Sequence, residues 1–326
     1  MKTLVTGATG FVGRHLVKRL VEEGISVTCL VRETSDIKFL KELGVELVYG
    51  NIMNKESLEK AVEDIDLIFH LAGEVYPKRS KRYFHANVIG TRNLMQACVG
   101  KNIRKVVYFS STAVYGPTKE RQLFVDETYP CNPISDYGKS KLEAEGIVLH
   151  YYREFGVPVT VLRPPVVYGP GLNRFSIAFI ILNLILKEKF IMIGDGDNYM
   201  SLSYISNLIQ GTLLAAYKEE SIGEIFIIAD EENNTFKEMV HSIYKAAGIT
   251  DNYSSMPVWL SKIAASFLFL LTTISNYPVH ISPNTINELI GGWGTDISKA
   301  KKILGYMPTF NFNESIRETV SSLKNK

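Results

Sequence analysis

A turn with three evenly spaced glycines near the start of the chain constrains the fold most. Gly7, Gly10 and Gly13 follow the apolar pair Leu4-Val5 and precede a helical pattern with one apolar side. In such a unit the first glycine permits a sharp turn, the second lets the backbone approach a pyrophosphate, and the third lets the helix pack on the strand. The sequence therefore predicts a diphosphate-binding turn at a helix N-terminus. An ordinary strand-to-helix loop is the alternative.

Short apolar segments alternate with helical patterns along most of the chain. The segments lie at 26–31, 45–49, 66–71, 105–109, 159–162 and 224–228, and helices are expected at 84–98, through 137–141, at 175–187 and at 312–323. This order predicts an α/β protein with a doubly wound parallel sheet of the Rossmann type. Ligands bind at the carboxyl ends of such strands. The residues that fall there are Gly7, Arg32, Ala72, Ser111 and Pro164.

The alternation weakens after the segment at 159–162. We expect residues 1–164 and about 203–229 to form the nucleotide-binding domain, and about 165–202 and 230–326 to form a smaller, mostly helical substrate-binding region. Because no flexible linker separates the two, a small-molecule substrate is expected to bind in the cleft between them.

Charge and cysteine content exclude several classes of protein. The chain has 36 basic and 34 acidic residues, which gives no electrostatic reason to bind nucleic acid. Cys29, Cys98 and Cys131 lack metal-ligand spacing, so we expect reduced thiols, no metal site and a cytoplasmic protein. The apolar run at 263–274 is shorter than the roughly 20 residues of a membrane span. It is expected to form a buried or lid helix, with shallow peripheral contact with a membrane as the alternative.

Arg32 lies at the end of the second predicted strand. An acidic residue about 20 residues beyond the glycines holds the ribose 2′-hydroxyl in dinucleotide folds, whereas an arginine suits a 2′-phosphate. Because a guanidinium pairs with phosphate in a bidentate manner, Arg32 favours NADP over NAD, with NAD still possible. The alternative is a solvated arginine at a strand end.

Tyr137 and Lys141 are four residues apart and therefore share one side of a predicted helix. A phenol has a pKa near 10, and a neighbouring ammonium, helped by a cofactor cation, is expected to lower that pKa. Tyr137 can then exchange a proton with an alcohol or a ketone while Ser111 hydrogen-bonds the same oxygen. Hydride would pass between substrate and nicotinamide. Packing or turn roles are expected for Lys139, Thr112, Ser110, Tyr115, Tyr168 and His70 rather than acid–base roles.

These features together resemble the extended short-chain dehydrogenase/reductase superfamily, also called the NAD-dependent epimerase/dehydratase family. The resemblance covers nearly the whole chain. It rests on residues 6–13, His70-Leu71-Ala72-Gly73, Asn87-Val88-Ile89-Gly90-Thr91, residues 110–116, Tyr137 with Lys141, and residues 162–171.

The resemblance implies roles for individual residues. It implies that Ser111, Tyr137 and Lys141 are catalytic, and that residues 164–167 line the nicotinamide pocket. The implied cofactor-binding residues are Gly7, Thr9, Gly10, Phe11, Val12, Arg32, Asn51, Ile52, Leu71, Ala72, Gly73, Asn87, Ser110, Tyr137, Lys141, Pro164, Val166 and Val167. Family members often dimerise through two helices per subunit, here those that hold Asn87 and Tyr137, so a homodimer is expected by analogy.

Several positions depart from the sugar-nucleotide branches of this family. Thr112-Ala113 replaces the acidic pair of dehydratases, Pro164-Pro165-Val166 lacks the usual asparagine, and Tyr199-Met200 and residues 291–295 lack the usual arginines. A substrate diphosphate would lack its partners there. The sequence therefore favours the hydroxysteroid dehydrogenase and dihydroflavonol reductase branches, whose substrates are apolar alcohols or ketones. The second hypothesis is a nucleotide-sugar epimerase that retains NAD, and the third is a nucleotide-binding regulator on the same scaffold.

Overall fold

The computed structural model describes residues 1–75, 81–118, 120, 123–274 and 283–324. Its strands are β1 Lys2–Thr6, β2 Ser26–Val31, β3 Glu46–Tyr49, β4 Leu67–His70, β5 Lys105–Phe109, β6 Phe124–Val125, β7 Val159–Arg163, β8 Val166–Tyr168, β9 Ile191–Ile193, β10 Tyr199–Met200, β11 Leu202–Tyr204, β12 Ile225–Ile227, β13 Asn234–Thr235, β14 Ser254–Met256 and β15 Gly294–Thr295.

The helices run in the same chain order. They are α1 Phe11–Glu22, α2 Lys38–Glu42, α3 Lys55–Ala61, α4 Lys81–Tyr83, which continues through a π-type segment Phe84–Ile89 into α5 Gly90–Cys98, then α6 Asp136–Phe155, α7 Ile177–Leu186, α8 Ile205–Tyr217, α9 Phe236–Ala247, α10 Val258–Ile274, α11 Pro283–Ile290 and α12 Phe312–Lys324. Short 3₁₀ turns lie at Thr112–Val114 and Glu219–Ser221, and a second π-type segment at Ala300–Leu304.

Seven parallel strands of the described chain form one sheet in the order β3-β2-β1-β4-β5-β7-β12. Strand order reverses between β1 and β4, where a doubly wound sheet opens a crevice for a ligand. In the register Thr6 faces His70 of β4 and Leu30 of β2, so the carboxyl ends of these three strands lie side by side. The predicted α/β Rossmann class is confirmed.

Both faces of the sheet are buried, which explains why its strands read as continuous apolar runs. Neighbouring residues within a strand belong to different cores: Leu4 packs with α3, α5 and α6, whereas Val5 packs with α1 and α8. The core that contains Val5 continues into the C-terminal part of the chain through Phe236 of α9 and Val320 of α12. The two parts of the chain thus share one apolar core, while the domain division drawn from the sequence stays a prediction.

The sequence predicts a buried or lid helix in the α10 segment; burial of α10 is wrong, and a lid role stays a prediction. Among the α10 side chains that the structure describes, only Ser261 and Ala265 are buried, at 4% and 3% exposure, whereas Trp259 and Phe267 are 65% and 64% exposed. Small side chains allow close contact with the rest of the protein but leave the large apolar ones outside. None of the helices described here combines the length and hydropathy needed to cross a membrane.

Candidate active site

The glycine turn forms a concave backbone surface at the end of β1. Gly7 has φ +77°, and a Cβ there would lie 2.7 Å from the backbone nitrogen of Ala72. A Cβ on Gly13 would lie 2.2 Å from the Gly7 carbonyl oxygen, so only glycine allows α1 to begin this close to β1. Gly10 is the N-cap of α1, and within the described chain no side chain caps its free N–H groups. This cradle fits the diphosphate of a dinucleotide.

The edge of the crevice on the β2 side holds three of the predicted cofactor residues. Arg32 follows β2 and is exposed, with its backbone N–H donating to Ser35 Oγ at 3.2 Å. The Asn51 side chain accepts from the Met53 N–H at 3.0 Å and shapes the turn after β3. Ile52 lies against Gly90, where a Cβ would be 2.6 Å from Ile52 Cδ1. The Arg32 side chain itself is exposed at this edge of the crevice.

Residues 71–73 are held by a hydrogen-bond chain through the buried His70. The Ala72 N–H donates to Thr6 Oγ1 at 3.2 Å, which lies 2.8 Å from His70 Nδ1, and His70 Nε2 lies 3.0 Å from Thr91 Oγ1. Because Thr91 donates its own proton to the Asn87 carbonyl at 2.6 Å, it accepts from Nε2–H. Burial, with Lys141 nearby, lowers the pKa of His70 to about 3. His70 is therefore a neutral structural residue.

Asn87 is hydrogen-bonded to residues of the candidate site. Its amide nitrogen donates to Ser140 Oγ at 2.9 Å and to the Glu74 carbonyl at 3.1 Å, and its oxygen accepts from the Glu74 N–H at 2.7 Å. A Cβ on Gly73 would lie 2.7 Å from that oxygen and 3.8 Å from Lys141 Nζ. Asn87 thus fixes the 73–74 turn against α6. Its predicted role in cofactor binding would be to hold this turn in place.

Close packing at the start of α6 brings Ser111 and Tyr137 together. Ser135 caps this helix by accepting from the Gly138 N–H at 3.2 Å. A Cβ on Gly138 would lie 2.5 Å from the Ala113 carbonyl oxygen, so a glycine lets α6 touch the turn that follows Ser111. The Ser111 side chain accepts from the Ala113 N–H at 3.2 Å, and its hydroxyl lies near enough to the Tyr137 phenol to act on the pKa of that phenol. Two of the three predicted catalytic groups are therefore neighbours.

The pKa of Tyr137 differs from the sequence-based expectation. Burial raises the pKa of the phenol to about 12, and the Ser111 hydroxyl opposes that rise. The expected lowering by Lys141 is wrong for the protein's own groups, because the cost of burying a phenolate dominates and the ammonium does not offset it. Tyr137 is thus a protonated phenol at neutral pH.

Lys141 is buried one helical turn after Tyr137. Its Nζ donates to the Phe109 carbonyl at 2.6 Å and lies 5.2 Å from the centre of the Tyr108 ring. Burial lowers the pKa of Lys141 to about 8, against the opposing charge of Glu145. The amine is therefore anchored to the end of β5 and changes protonation close to physiological pH. Lys139, the competing lysine, is exposed.

The remaining predicted pocket residues lie at the ends of β5 and β7. The Thr112 N–H donates to the Pro164 carbonyl at 3.1 Å, which joins the Ser111 turn to the segment that leads into Val166 and Val167. Ser110 is 3% exposed, and its Oγ has no hydrogen-bond partner among the described residues. A buried hydroxyl without a partner beside the crevice is a group that a ligand can satisfy.

Glu288 of α11 is a candidate site residue that the sequence reasoning missed. One of its carboxylate oxygens is buried without a hydrogen-bond partner in the described chain, and burial raises the pKa of this side chain. The Ser135 hydroxyl, at the cap of α6 and two residues before Tyr137, lies near the carboxyl group and partly opposes that rise in pKa. The one sequence signal is that Glu288 is the single acid between Asp251 and Asp296.

Other polar residues near the strand ends are structural. Arg163 donates to Tyr115 Oη at 2.9 Å and forms a buried, two-pronged ion pair with Glu145. Tyr168 Oη donates to Asp230 at 3.0 Å. Asn207 donates to the same Asp230 at 2.8 Å and accepts from the Phe310 N–H at 3.1 Å, which ties α8 to the C-terminal segment.

The chain is similar in sequence and in structure to several known proteins. The model of the "NAD dependent epimerase/dehydratase family" matches residues 3–229. The 4-hydroxy-2-methyl-3-oxo-4-farnesyl-3,4-dihydroquinoline-1-oxide ketoreductase of Stigmatella aurantiaca is 28% identical over 81% of this chain and 79% of its own length. The N-acetyl-alpha-D-glucosaminyl-diphospho-ditrans,octacis-undecaprenol 4-epimerase of Escherichia coli O157:H7 is 25% identical over 97% and 93%. The structure of UDP-glucuronic acid 4-epimerase from Bacillus cereus in complex with NAD has a TM-score of 0.80 and 25% identity, with coverage of 100% and 99%.

Proposed function

The chain belongs to the NAD-dependent epimerase/dehydratase family, and from that premise we propose that it transfers hydride between a nicotinamide and a secondary alcohol or ketone. Ser111, Tyr137 and Lys141 are the proposed catalytic residues. The observation that carries this proposal is the close packing of α6 at Gly138 against the turn after Ser111, with the Ser111 hydroxyl near the Tyr137 phenol. Within this family the chain is an enzyme, so the regulator hypothesis is not retained.

The chain's own residues position the substrate and move the proton. When bound, the nicotinamide supplies or accepts the hydride. Tyr137, protonated at neutral pH, gives its proton to the substrate oxygen in the reductive direction and takes it back in the oxidative direction. Ser111 hydrogen-bonds the same oxygen. Lys141, buried and held by the Phe109 carbonyl, adds positive charge beside the phenol when it is protonated.

NAD is supported as the cofactor by the solved neighbour that contains it. A preference for NADP rests on Arg32, whose exposed side chain lies at the end of β2 where a 2′-phosphate would be placed. The proposed NADP preference therefore needs its own test. The other proposed cofactor-binding residues are those of the glycine turn, the 71–73 turn, Ser110 and the segment from Pro164 to Val167.

The substrate is proposed to be a neutral molecule with an apolar part and a hydroxyl or carbonyl group. Glu288 supports this proposal, because its carboxyl group near the cap of α6 has a buried oxygen free to accept a hydrogen bond from a hydroxyl group, and it disfavours a substrate carboxylate next to it. The names of both relatives contain an isoprenoid chain, farnesyl in one and, joined to a diphosphate, undecaprenol in the other, which supports the apolar part of the proposed substrate. Residues about 165–202 and 230–326 are proposed to shape this side of the cleft.

Epimerisation of a nucleotide sugar with retained NAD is the second candidate. It is favoured by the full-length similarity to an epimerase whose crystals contain NAD. The departures at Pro164-Pro165-Val166 and Tyr199-Met200 weigh against it, because the diphosphate of such a substrate would need other partners. In an epimerase the hydride returns to the substrate, whereas in a reductase it leaves with the product.

Deuterium transfer separates the two candidates. The purified protein is mixed with NADH or NADPH deuterated at the reactive nicotinamide carbon, and with decalone, UDP-glucose or UDP-N-acetylglucosamine in turn. The proposal predicts deuterium on the carbinol carbon of the decalone product and no NAD released on denaturation of the untreated protein. Retained NAD, conversion of a UDP-sugar without deuterium uptake and no reaction with decalone would replace the proposal with the second candidate.

Two further features are proposed by analogy. A homodimer through α5 and α6 would follow the family pattern, and light scattering of the purified protein measures it. A cytoplasmic location agrees with the free thiols of Cys29, Cys98 and Cys131.

A further inference from the structure

Helix α10 carries an apolar surface that the rest of the described protein does not cover. Eight large apolar side chains of this helix are between 39% and 65% exposed: Trp259, Leu260, Ile263, Phe267, Leu268, Phe269, Leu270 and Leu271. At 100° per residue these positions cover about 260° of the helix circumference, and the remaining side carries the buried Ser261 and Ala265. We propose that this surface, the α10 face, docks the protein on a lipid bilayer, with the helix axis in the plane of the membrane.

The width of the α10 face favours a lipid surface over a protein partner. A helix that packs against a protein needs an apolar stripe of about 100°. The α10 face is more than twice that width, and acyl chains can cover every side of the helix that does not pack on the protein itself. Trp259 at the start of the helix, a residue type concentrated at bilayer interfaces, is the most exposed member of the face at 65%.

Charge around the α10 face is compatible with an anionic membrane. Between Asp251 and Glu288 the sequence contains no acidic residue, and Lys262 is the one side chain there with a permanent charge. Lys262 is partly buried within α10, and its long chain can place the ammonium among head groups. Anionic lipids would therefore meet a positive charge and no negative one along this segment.

The α10 face lies next to the rim of the candidate site. Helix α10 packs on α11, which carries Glu288, and the Gly291 carbonyl after α11 accepts from the Thr118 N–H at 3.0 Å. Glu288 in turn lies near Ser135, the residue that caps α6 two positions before Tyr137. Docking would therefore turn this rim toward the bilayer. That consequence rests on the proposed function, whereas the docking itself does not.

Vesicle flotation tests the proposal with the full-length protein. The wild-type chain is mixed with phosphatidylcholine vesicles, with and without phosphatidylglycerol, beside the double variant Phe267→Glu/Leu270→Glu. Met307→Glu is the matched control, because Met307 is 73% exposed and lies outside α10. The wild type and the control are expected to float with anionic vesicles, and the double variant to lose at least about tenfold in affinity. Lys262→Gln is expected to lose about fivefold, on anionic vesicles alone.

Other outcomes overturn the proposal. A wild-type protein that stays in the soluble fraction with both vesicles, or a double variant that floats as well as the wild type, contradicts it. If light scattering shows a dimer that the double variant dissociates, without vesicle binding by the wild type, the face joins two copies of the chain instead. Circular dichroism and NAD binding of each variant show that the fold is intact, so that failure of docking is distinct from failure of the proposed function.

Discussion

Replacing Gly138 by alanine tests how the site is assembled. The added Cβ would lie 2.5 Å from the Ala113 carbonyl oxygen and 2.9 Å from Pro133 Cβ, whereas ordinary contact begins at 3.4 Å. The start of α6 must therefore move away from the turn after Ser111 by about 0.9 Å. A misplacement of about 1 Å costs roughly 10²-fold in rate, or about 2.7 kcal/mol of transition-state stabilisation. We expect kcat to fall by that factor in Gly138→Ala.

Gly146→Ala is the matched control on the same helix. In the described part of the chain no atom lies within 4 Å of a Cβ built on Gly146, so alanine fits without movement. Alanine in place of a helical glycine adds about 1 kcal/mol to the free energy of unfolding, worth about 2 °C in Tm for a chain of this size. Gly146→Ala should keep full activity and melt slightly higher.

The assay is turnover of whichever substrate the deuterium experiment identifies, together with NAD binding by each variant. Gly138→Ala should keep its affinity for NAD, because the cradle at Gly7, Gly10 and Gly13 lies at the other end of the crevice. Equal kcat for Gly138→Ala and Gly146→Ala would refute the reasoning, since the placement of Ser111 near Tyr137 would then not depend on close packing at position 138.

Three further predictions follow from the site and its surroundings. Arg32→Asp should shift the ratio of NADP to NAD affinity toward NAD by about tenfold or more, and an unchanged ratio would dismiss a phosphate-binding role. Ser111→Ala removes the hydroxyl that lowers the pKa of Tyr137, so that pKa should rise and the alkaline rise of alcohol oxidation should move to higher pH; an unchanged pH profile would contradict it. Burial raises the pKa of Asp230 to about 6, above that of an unfolded carboxyl. The stabilisation from its bound proton is thus complete at low pH and lost as pH rises through about 6. The Tm of Asp230→Asn should therefore fall less than that of the wild type as pH rises through about 6. The same pH dependence of Tm in the variant and the wild type would refute this prediction.

Much of the fold follows from the sequence because parallel strands buried on both faces are short apolar runs. The glycine turn could be predicted because positions 7 and 13 have no room for a Cβ. Ser111, Tyr137 and Lys141 can be proposed from residue type and spacing; their catalytic roles stay predictions, and Ser111 lies near Tyr137.

Properties that depend on burial could not be predicted from the residues. The pKa of Tyr137 is set mainly by burial at the start of α6, which spacing does not reveal. Glu288 lies near Ser135 although nearly half of the chain separates them in sequence, and it belongs to no local pattern. An apolar run such as α10 looks the same in sequence whether its large side chains are buried or exposed. The structure separates the two because Ser261 and Ala265 face inward.

Turnover of Tyr137→Phe tests the central claim most directly, because the variant removes one hydroxyl and leaves the ring in place. Tyr151→Phe on the same helix is the control, measured with the same substrate and with NAD affinity determined in parallel. The account predicts that Tyr137→Phe loses about 10²-fold or more in kcat with NAD affinity nearly unchanged, while Tyr151→Phe behaves as the wild type. Wild-type kcat in Tyr137→Phe would contradict the account, since the proton would then come from another group.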